Sequence, residues 1–163
     1  MILADAESFA AALPATGAIM GLDLGTKTIG VAISDGLRGA ATPVETVRRI
    51  KFTEDAQRLL ALITARGVAG VILGLPLNMD GSPGPRVQST QAFARNLMKL
   101  TDLPITFWDE RLSTVAAERA LLEADATRKR RAAVIDQVAA GYILQGALDR
   151  LDTLRRHMAE DAT

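Results

Sequence analysis

The chain has 163 residues, 48% hydrophobic, 23% charged and 4% aromatic, with no cysteine; 19 Lys+Arg balance 19 Asp+Glu, so its formal net charge is zero. That length suits one domain able to bury roughly 70% of its unfolded surface, and the composition excludes a disordered tail, a disulfide scaffold and a thiolate metal site. No apolar run approaches the ~20 residues that span a bilayer, so no membrane partner is expected, and zero charge gives no global pull toward nucleic acid.

Residues 1–17, MILADAESFAAALPATG, carry Asp5 and Glu7 where a secretory signal carries Lys or Arg. The segment is read as no signal, which makes the cytoplasm the expected compartment. Residues 5–13 predict a short amphipathic helix ended by Pro14 and Gly17. Residues 18–24 and 28–34 are apolar runs separated only by Gly25, Thr26 and Lys27, the spacing of a β-hairpin. A third strand is expected over 40–47, after the turn at Asp35 and Gly36. Over 53–66, Ala56, Leu59, Leu60 and Ile63 recur at helical spacing, and Gly67 suits the residue beyond the C-cap. Residues 70–75 (GVILGL) read as a strand buried on both sides. A loop rich in Pro, Gly, Asn and Asp follows over 76–85, then a helix over 87–100 and a strand over 105–108. Ser113 or Thr114 would N-cap a helix to about Glu123, and a final helix is expected over 133–156.

A three-strand meander followed by helix–strand–helix–strand–helix–helix predicts an α/β fold with a mixed five-stranded sheet. The meander is antiparallel, the later strands join by parallel crossovers, and helices cover both faces, which is the layout of ribonuclease-H-like folds. One domain over 18–156 is expected, with residues 1–17 an N-terminal extension and 157–163 a tail.

Three places could carry chemistry. Asp23 interrupts an apolar strand, where a carboxylate needs compensation for lost hydration. It reads either as a metal ligand, with Gly25 admitting a phosphate and Lys27 supplying charge, or as a strand-end Asp bonding the following turn. Gly25 and Gly30 have Walker A spacing, but Val31 and Ala32 stand where Lys and Ser/Thr are required, and no dinucleotide-binding glycine triplet opens a helix. Asp109 and Glu110 end a strand; adjacent carboxylates there point to opposite sides, so at most one shares a site with Asp23. A cluster neutralised by Arg111 is the plainer alternative. Asp136 opens an apolar helix whose dipole favours a carboxylate, and Ala139, Ala140 and Gly141 would let that helix approach the sheet closely. Carboxylates converging on one sheet edge call for a divalent counter-ion such as Mg²⁺. Arg48, Arg49 and Lys51 form one basic group, and Arg128, Lys129, Arg130 and Arg131 another; either could be a solvated face or a phosphate-binding patch. His157 is read as a surface residue.

The stretches GLDLGTKTIGVAISD (21–35), GLPLNMDGSPGP (74–85), FWDERLST (107–114) and IDQVAAGYILQGALD (135–149) together resemble the YqgF family, over roughly 18–151 and in the family's order and spacing. These are bacterial RuvC-like proteins described as Holliday-junction resolvases and as pre-16S rRNA nucleases. The resemblance implies an RNase-H-like nuclease that hydrolyses phosphodiester bonds with Mg²⁺ or Mn²⁺. It places the catalytic and metal-binding acids at Asp23, Glu110 and Asp136, with Asp109 adjacent. Substrate phosphates would meet Gly25, Thr26, Lys27, Arg111, Arg128, Lys129, Arg130 and Arg131. The loop carrying Asn78, Asp80 and Gly81 would flank the site and close over substrate. The implied partner is structured precursor rRNA, acted on by a monomer or homodimer, with a DNA junction as the alternative substrate. Two other readings are a non-catalytic assembly or transcription factor and an ATP-binding protein, since residues 23–26 also resemble the first phosphate loop of the actin/hexokinase-like superfold. The latter needs two such halves, and this chain supplies one.

Overall fold

The computed structural model describes residues 1–112 and 128–161. Chain order runs α1 (Ala6–Ala12), β1 (Ala18–Leu24), β2 (Thr28–Ser34), β3 (Ala41–Arg48), α2 (Phe52–Arg66), β4 (Val68–Leu75), α3 (Pro85–Met98), β5 (Ile105–Asp109), a 3-10 turn (Glu110–Leu112) and α4 (Arg128–Asp161). The helix expected from Ser113 or Thr114 lies outside the described residues.

Five strands form one sheet in the order β3-β2-β1-β4-β5. The first three are antiparallel neighbours, and β4 and β5 join in parallel. The expected meander with parallel additions is the observed topology. Gly25 N–H donates to Thr28 O at 2.8 Å and closes the β1–β2 turn, registering Asp23 opposite Gly30. Helix α2 stops where Gly67 adopts the left-handed conformation (φ 61°) and donates to Ile63 O, a backbone state that a residue without Cβ reaches at no steric cost. Helix α3 starts on Pro85, whose ring fixes a helical φ at a position needing no N–H donor. Helix α4 runs several residues beyond its expected bounds at both ends. Arg, Lys, Met and Glu are good helix formers, and no Gly or Pro interrupts either flank.

Two cores sandwich the sheet. Met20, Leu22, Leu24, Ile29, Val31 and Val71 pack with Leu59 and Leu62 of α2 and Phe93 and Leu97 of α3. On the other face Ile19, Ala32 and Ile72 pack with Phe9 of α1 and with Ala139, Ala140, Ile143 and Leu144 of α4. Covered on both sides, β4 is buried over nearly its whole length.

Residues 1–13 pack onto this sandwich. Leu3 N–H donates to Ile105 O at 2.7 Å and Ile105 N–H to Met1 O at 2.9 Å, so the segment pairs with the outer edge of β5. Asp5 caps α1 by accepting from Ser8 N–H at 2.7 Å. Phe9 is fully buried over Gly70, where a Cβ would lie 2.8 Å from its ring. An exposed strand edge is a template for unwanted pairing, and this segment covers one.

Candidate active site

Strand alternation sends Ala18, Met20, Leu22 and Leu24 toward α2 and α3, and Ile19, Gly21 and Asp23 toward α4. Asp23 is only 2% exposed. Removing a carboxylate from water costs several kcal/mol unless other groups compensate, and groups held in such environments concentrate at functional sites.

Both positions beside Asp23 are glycines. Gly30 is its partner on β2, and continuing the β1–β4 register by one residue beyond Leu22 and Leu73 sets Gly74 on its other side. A Cβ on Gly30 would lie 1.9 Å from the carbonyl oxygen of Asp136. Asp136 was expected to open its helix, but α4 begins at Arg128, so it is the third turn, at Asp136, that rests directly on the β2 backbone. A Cβ on Gly74 would lie 2.5 Å from Ile143 Cδ1 and 2.7 Å from Glu110 Oε1, so the Glu110 carboxylate occupies space that a side chain would fill. One residue row earlier, a Cβ on Gly21 would lie 2.7 Å from Leu144 Cβ. These glycines, with Ala139 and Ala140 on the helix, allow the close approach expected from the helix alone.

Asp23, Glu110 and Asp136 are thus brought to one face of the sheet. Thr28 Oγ1 donates to Asp136 Oδ2 and ties the third turn of α4 to β2. Among the described residues no three acidic or histidine side chains already stand at metal-ligand spacing, so the acids share a face without closing round a single point. Their chemistry nevertheless fits a hard divalent cation, which takes carboxylate oxygens, and the glycine cradle leaves their oxygens room.

Asp109 is held elsewhere. Trp108 packs on Gly146 of α4, so alternation turns Asp109 to the opposite side. There it accepts from Arg111 Nε at 3.1 Å and Nη2 at 2.7 Å, and from Arg111 N–H at 3.0 Å. The Arg111 fork keeps the Asp109 carboxyl below the usual carboxylate range, against a smaller opposing effect of burial. Arg111 also donates to Met79 O at 3.3 Å. Expected as a phosphate contact, it links the end of β5 to the 76–84 loop.

That loop is braced internally. Asp80 Oδ1 accepts from Ser82 Oγ at 2.6 Å and Ser82 N–H at 2.9 Å, and Asn78 Nδ2 donates to Ser82 Oγ at 3.0 Å. These Ser82 bonds lower the Asp80 pKa. Gly81 takes φ 87° where the loop passes Arg111, and a Cβ there would lie 3.2 Å from Arg111 Nη1.

Gly25 is half-buried in the β1–β2 turn, and Thr26 and Lys27 are exposed at its tip. Arg128, Lys129, Arg130 and Arg131 open α4 beside Asp136; their side chains lie outside the described residues. His157 is exposed on the last turns of α4. A hollow of about 280 Å³ between α1 and the C-terminal part of α4, lined by Leu13, Leu37, Leu148 and Met158 among others, contains none of the three acids. Among the described residues no helix is long and apolar enough to cross a membrane.

Thr28 and Arg86 in this neighbourhood escaped the candidate set, and Arg49 entered it only as one of a basic group. Thr28 shares a strand face with Gly30 by simple alternation, a signal available in the sequence. Arg49 and Arg86 converge on the turn after Asp23, donating to Gly25 O and Leu24 O. No local pattern announces that convergence.

Comparison with known proteins identifies the family and the fold. The chain is 72% identical over 156 residues to a "Putative pre-16S rRNA nuclease" of Paracoccus denitrificans (strain Pd 1222), covering 96% of this chain and 99% of that protein. A protein of the same name from Ruegeria pomeroyi (strain ATCC 700808 / DSM 15171 / DSS-3) is 70% identical over 154 residues, covering 94% of this chain and all of its own length. The fold resembles that of Thermus thermophilus RuvC, solved in complex with a Holliday junction substrate, at TM-score 0.52 and 12% identity, covering 84% of this chain and 97% of that one. The family described as "RuvX: Holliday junction resolvase" matches residues 17–150, and the chain belongs to this RuvX (YqgF) family.

Proposed function

We propose that the protein is a divalent-metal-dependent nuclease that hydrolyses phosphodiester bonds in maturation of the 5′ end of pre-16S rRNA. The observation that carries this reading is Asp23, an almost fully buried carboxylate between two glycines, on the face that also receives Glu110 and Asp136. Such a concentration of negative charge suits a site that holds cations and works on phosphate esters. The substrate follows from the names of relatives about 70% identical over nearly the whole chain.

In this reading Asp23, Glu110 and Asp136 hold Mg²⁺ or Mn²⁺ within a catalytic unit spanning residues 18–156. The bound cation would offset the gathered carboxylate charge and polarise the scissile phosphate. Asp23 is fixed by strand pairing, Asp136 by Thr28, and Glu110 by the space over Gly74. The turn at Gly25, Thr26 and Lys27 lies at the open end of this face and contacts the substrate backbone. The 76–84 loop flanks the same end and is held to it by Arg111. The reaction is placed in the cytoplasm.

The test is cleavage of a 16S precursor RNA carrying its 5′ leader, with Mg²⁺ present. The wild-type protein should shorten the leader and Asp23→Asn should not. Equal cleavage by both would remove the assigned site. Cleavage of a four-way DNA junction with the precursor left intact, together with a stable dimer by sedimentation, would move the substrate to junction DNA.

A further inference from the structure

We propose that Arg49 and Arg86 form a binding site for backbone phosphate of the nucleic-acid substrate at the β1–β2 turn that follows Asp23; this rests on the nuclease reading. The two side chains come from separate elements, Arg49 from the connection between β3 and α2 and Arg86 from the first turn of α3. They meet consecutive carbonyls of the turn that follows Asp23. Arg49 Nη1 donates to Gly25 O at 2.6 Å, and Arg86 Nη2 donates to Leu24 O at 3.0 Å. Arg49 is held twice more, by its own N–H to Lys27 O at 2.8 Å and by its guanidinium 5.8 Å from the centre of the Phe93 ring.

Lys51, Arg58, Arg111, Arg150, Arg155 and Arg156 are each ion-paired with a carboxylate. Among the described residues neither Arg49 nor Arg86 is. Among those residues Arg38 likewise bonds carbonyls without a carboxylate partner; what sets this pair apart is that two such guanidinium groups, from separate elements, meet one turn. A guanidinium carries five N–H donors in a planar fork, and each of these two commits one to the turn. Stapling a carbonyl needs only a neutral donor. Both guanidinium groups are instead fixed with their charge at the carbonyls of adjacent residues, Leu24 and Gly25, where an anion can offset it. Phosphate is the anion a guanidinium fork matches best, and anchored forks lose little freedom on binding it.

The test uses the full-length protein with Asp23→Asn, so that bound RNA stays intact, and a labelled 16S precursor fragment read by fluorescence anisotropy at several salt concentrations. Arg49→Gln and Arg86→Gln should each reduce the slope of log affinity against log salt by about 0.7–0.9, the signature of one lost phosphate contact. Arg95→Gln, which removes an exposed charge farther along α3, should leave the slope unchanged. Arg49→Lys and Arg86→Lys keep the charge while altering the staple, and should retain the slope. Slopes lost equally in the Lys and Gln variants would mark the arginines as props for the turn and overturn the site. So would Gln variants indistinguishable from Arg95→Gln at unchanged melting temperature. Wild-type protein that binds with these slopes but cleaves nothing would support the phosphate site while removing the nuclease reading.

Discussion

Along β1, Met20, Leu22 and Leu24 lie among large apolar side chains beneath α2 and α3, whereas Gly21 and Asp23, their neighbours on the same strand, face α4. The first face is an ordinary dry core, with Leu22, Leu59 and Leu97 fully buried. The second surrenders side-chain volume at Gly21, Gly30 and Gly74 and accepts a buried carboxylate. Period-2 alternation lets one strand serve both purposes, because neighbouring residues never compete for the same side. Apolar packing fills the first face throughout, and on the α4 face the same kind of packing gives way to glycines beside Asp23.

Exchange of roles between the faces should give the largest effects. Asp23→Asn should lower cleavage by about 100-fold or more, as expected for loss of a metal-holding group, while leaving the melting temperature unchanged or raised, because a buried charge is removed. Leu22→Ala, one residue away, should destabilise by about 2–5 kcal/mol through its cavity, read by denaturant unfolding. A large loss of stability in Asp23→Asn would erase the distinction between the faces.

The glycine cradle is open to a smaller perturbation. Gly30→Ala places a methyl group against the backbone of α4 and should cost about 1–3 kcal/mol as overpacking, with activity lost as Asp136 shifts. Gly36→Ala, with nothing within 4 Å of its Cβ, should fall within about 0.5 kcal/mol of wild type. Equal stability of the two variants would mean that α4 does not rest on β2.

Acid gives a weaker effect still. Arg111 at Asp109 and Arg58 at Glu45 hold both carboxyls below their ordinary range in the folded protein, each chiefly through a side-chain hydrogen bond. A lowered folded-state pKa contributes stability above the unfolded value and loses it as pH falls through the folded one. The melting temperature should therefore begin to drop below about pH 4. Asp109→Asn should flatten that drop, with a change at neutral pH of at most about 1 kcal/mol because the pair is partly exposed. A steeper acid response in Asp109→Asn would contradict the Arg111 bond.

Much of this was legible in the sequence because the signals were local. Gly25, Thr26 and Lys27 between two alternating runs mark the hairpin, Gly67 marks the end of α2, and adjacency of Asp109 and Glu110 requires opposite orientations. The packing of residues 1–13 was not legible, since Leu3 finds Ile105 and Phe9 finds Gly70 only across the folded sheet. Nor was the bond between Thr28 and Asp136, 108 residues apart. Strand glycines read as neutral spacing until the helix they admit is in place. The pairing of Arg111 with Asp109 was open as one of two sequence alternatives, but its link to Met79 O was not.

Calorimetric titration of the full-length protein with Mn²⁺, comparing wild type with Asp23→Asn, Glu110→Gln, Asp136→Asn and Asp109→Asn, tests most directly whether the α4 face is a metal site. Binding should weaken at least about 10-fold in the first three variants and remain near wild type in Asp109→Asn. Unchanged binding in Asp23→Asn and Asp136→Asn, or a loss confined to Asp109→Asn, would contradict the assignment.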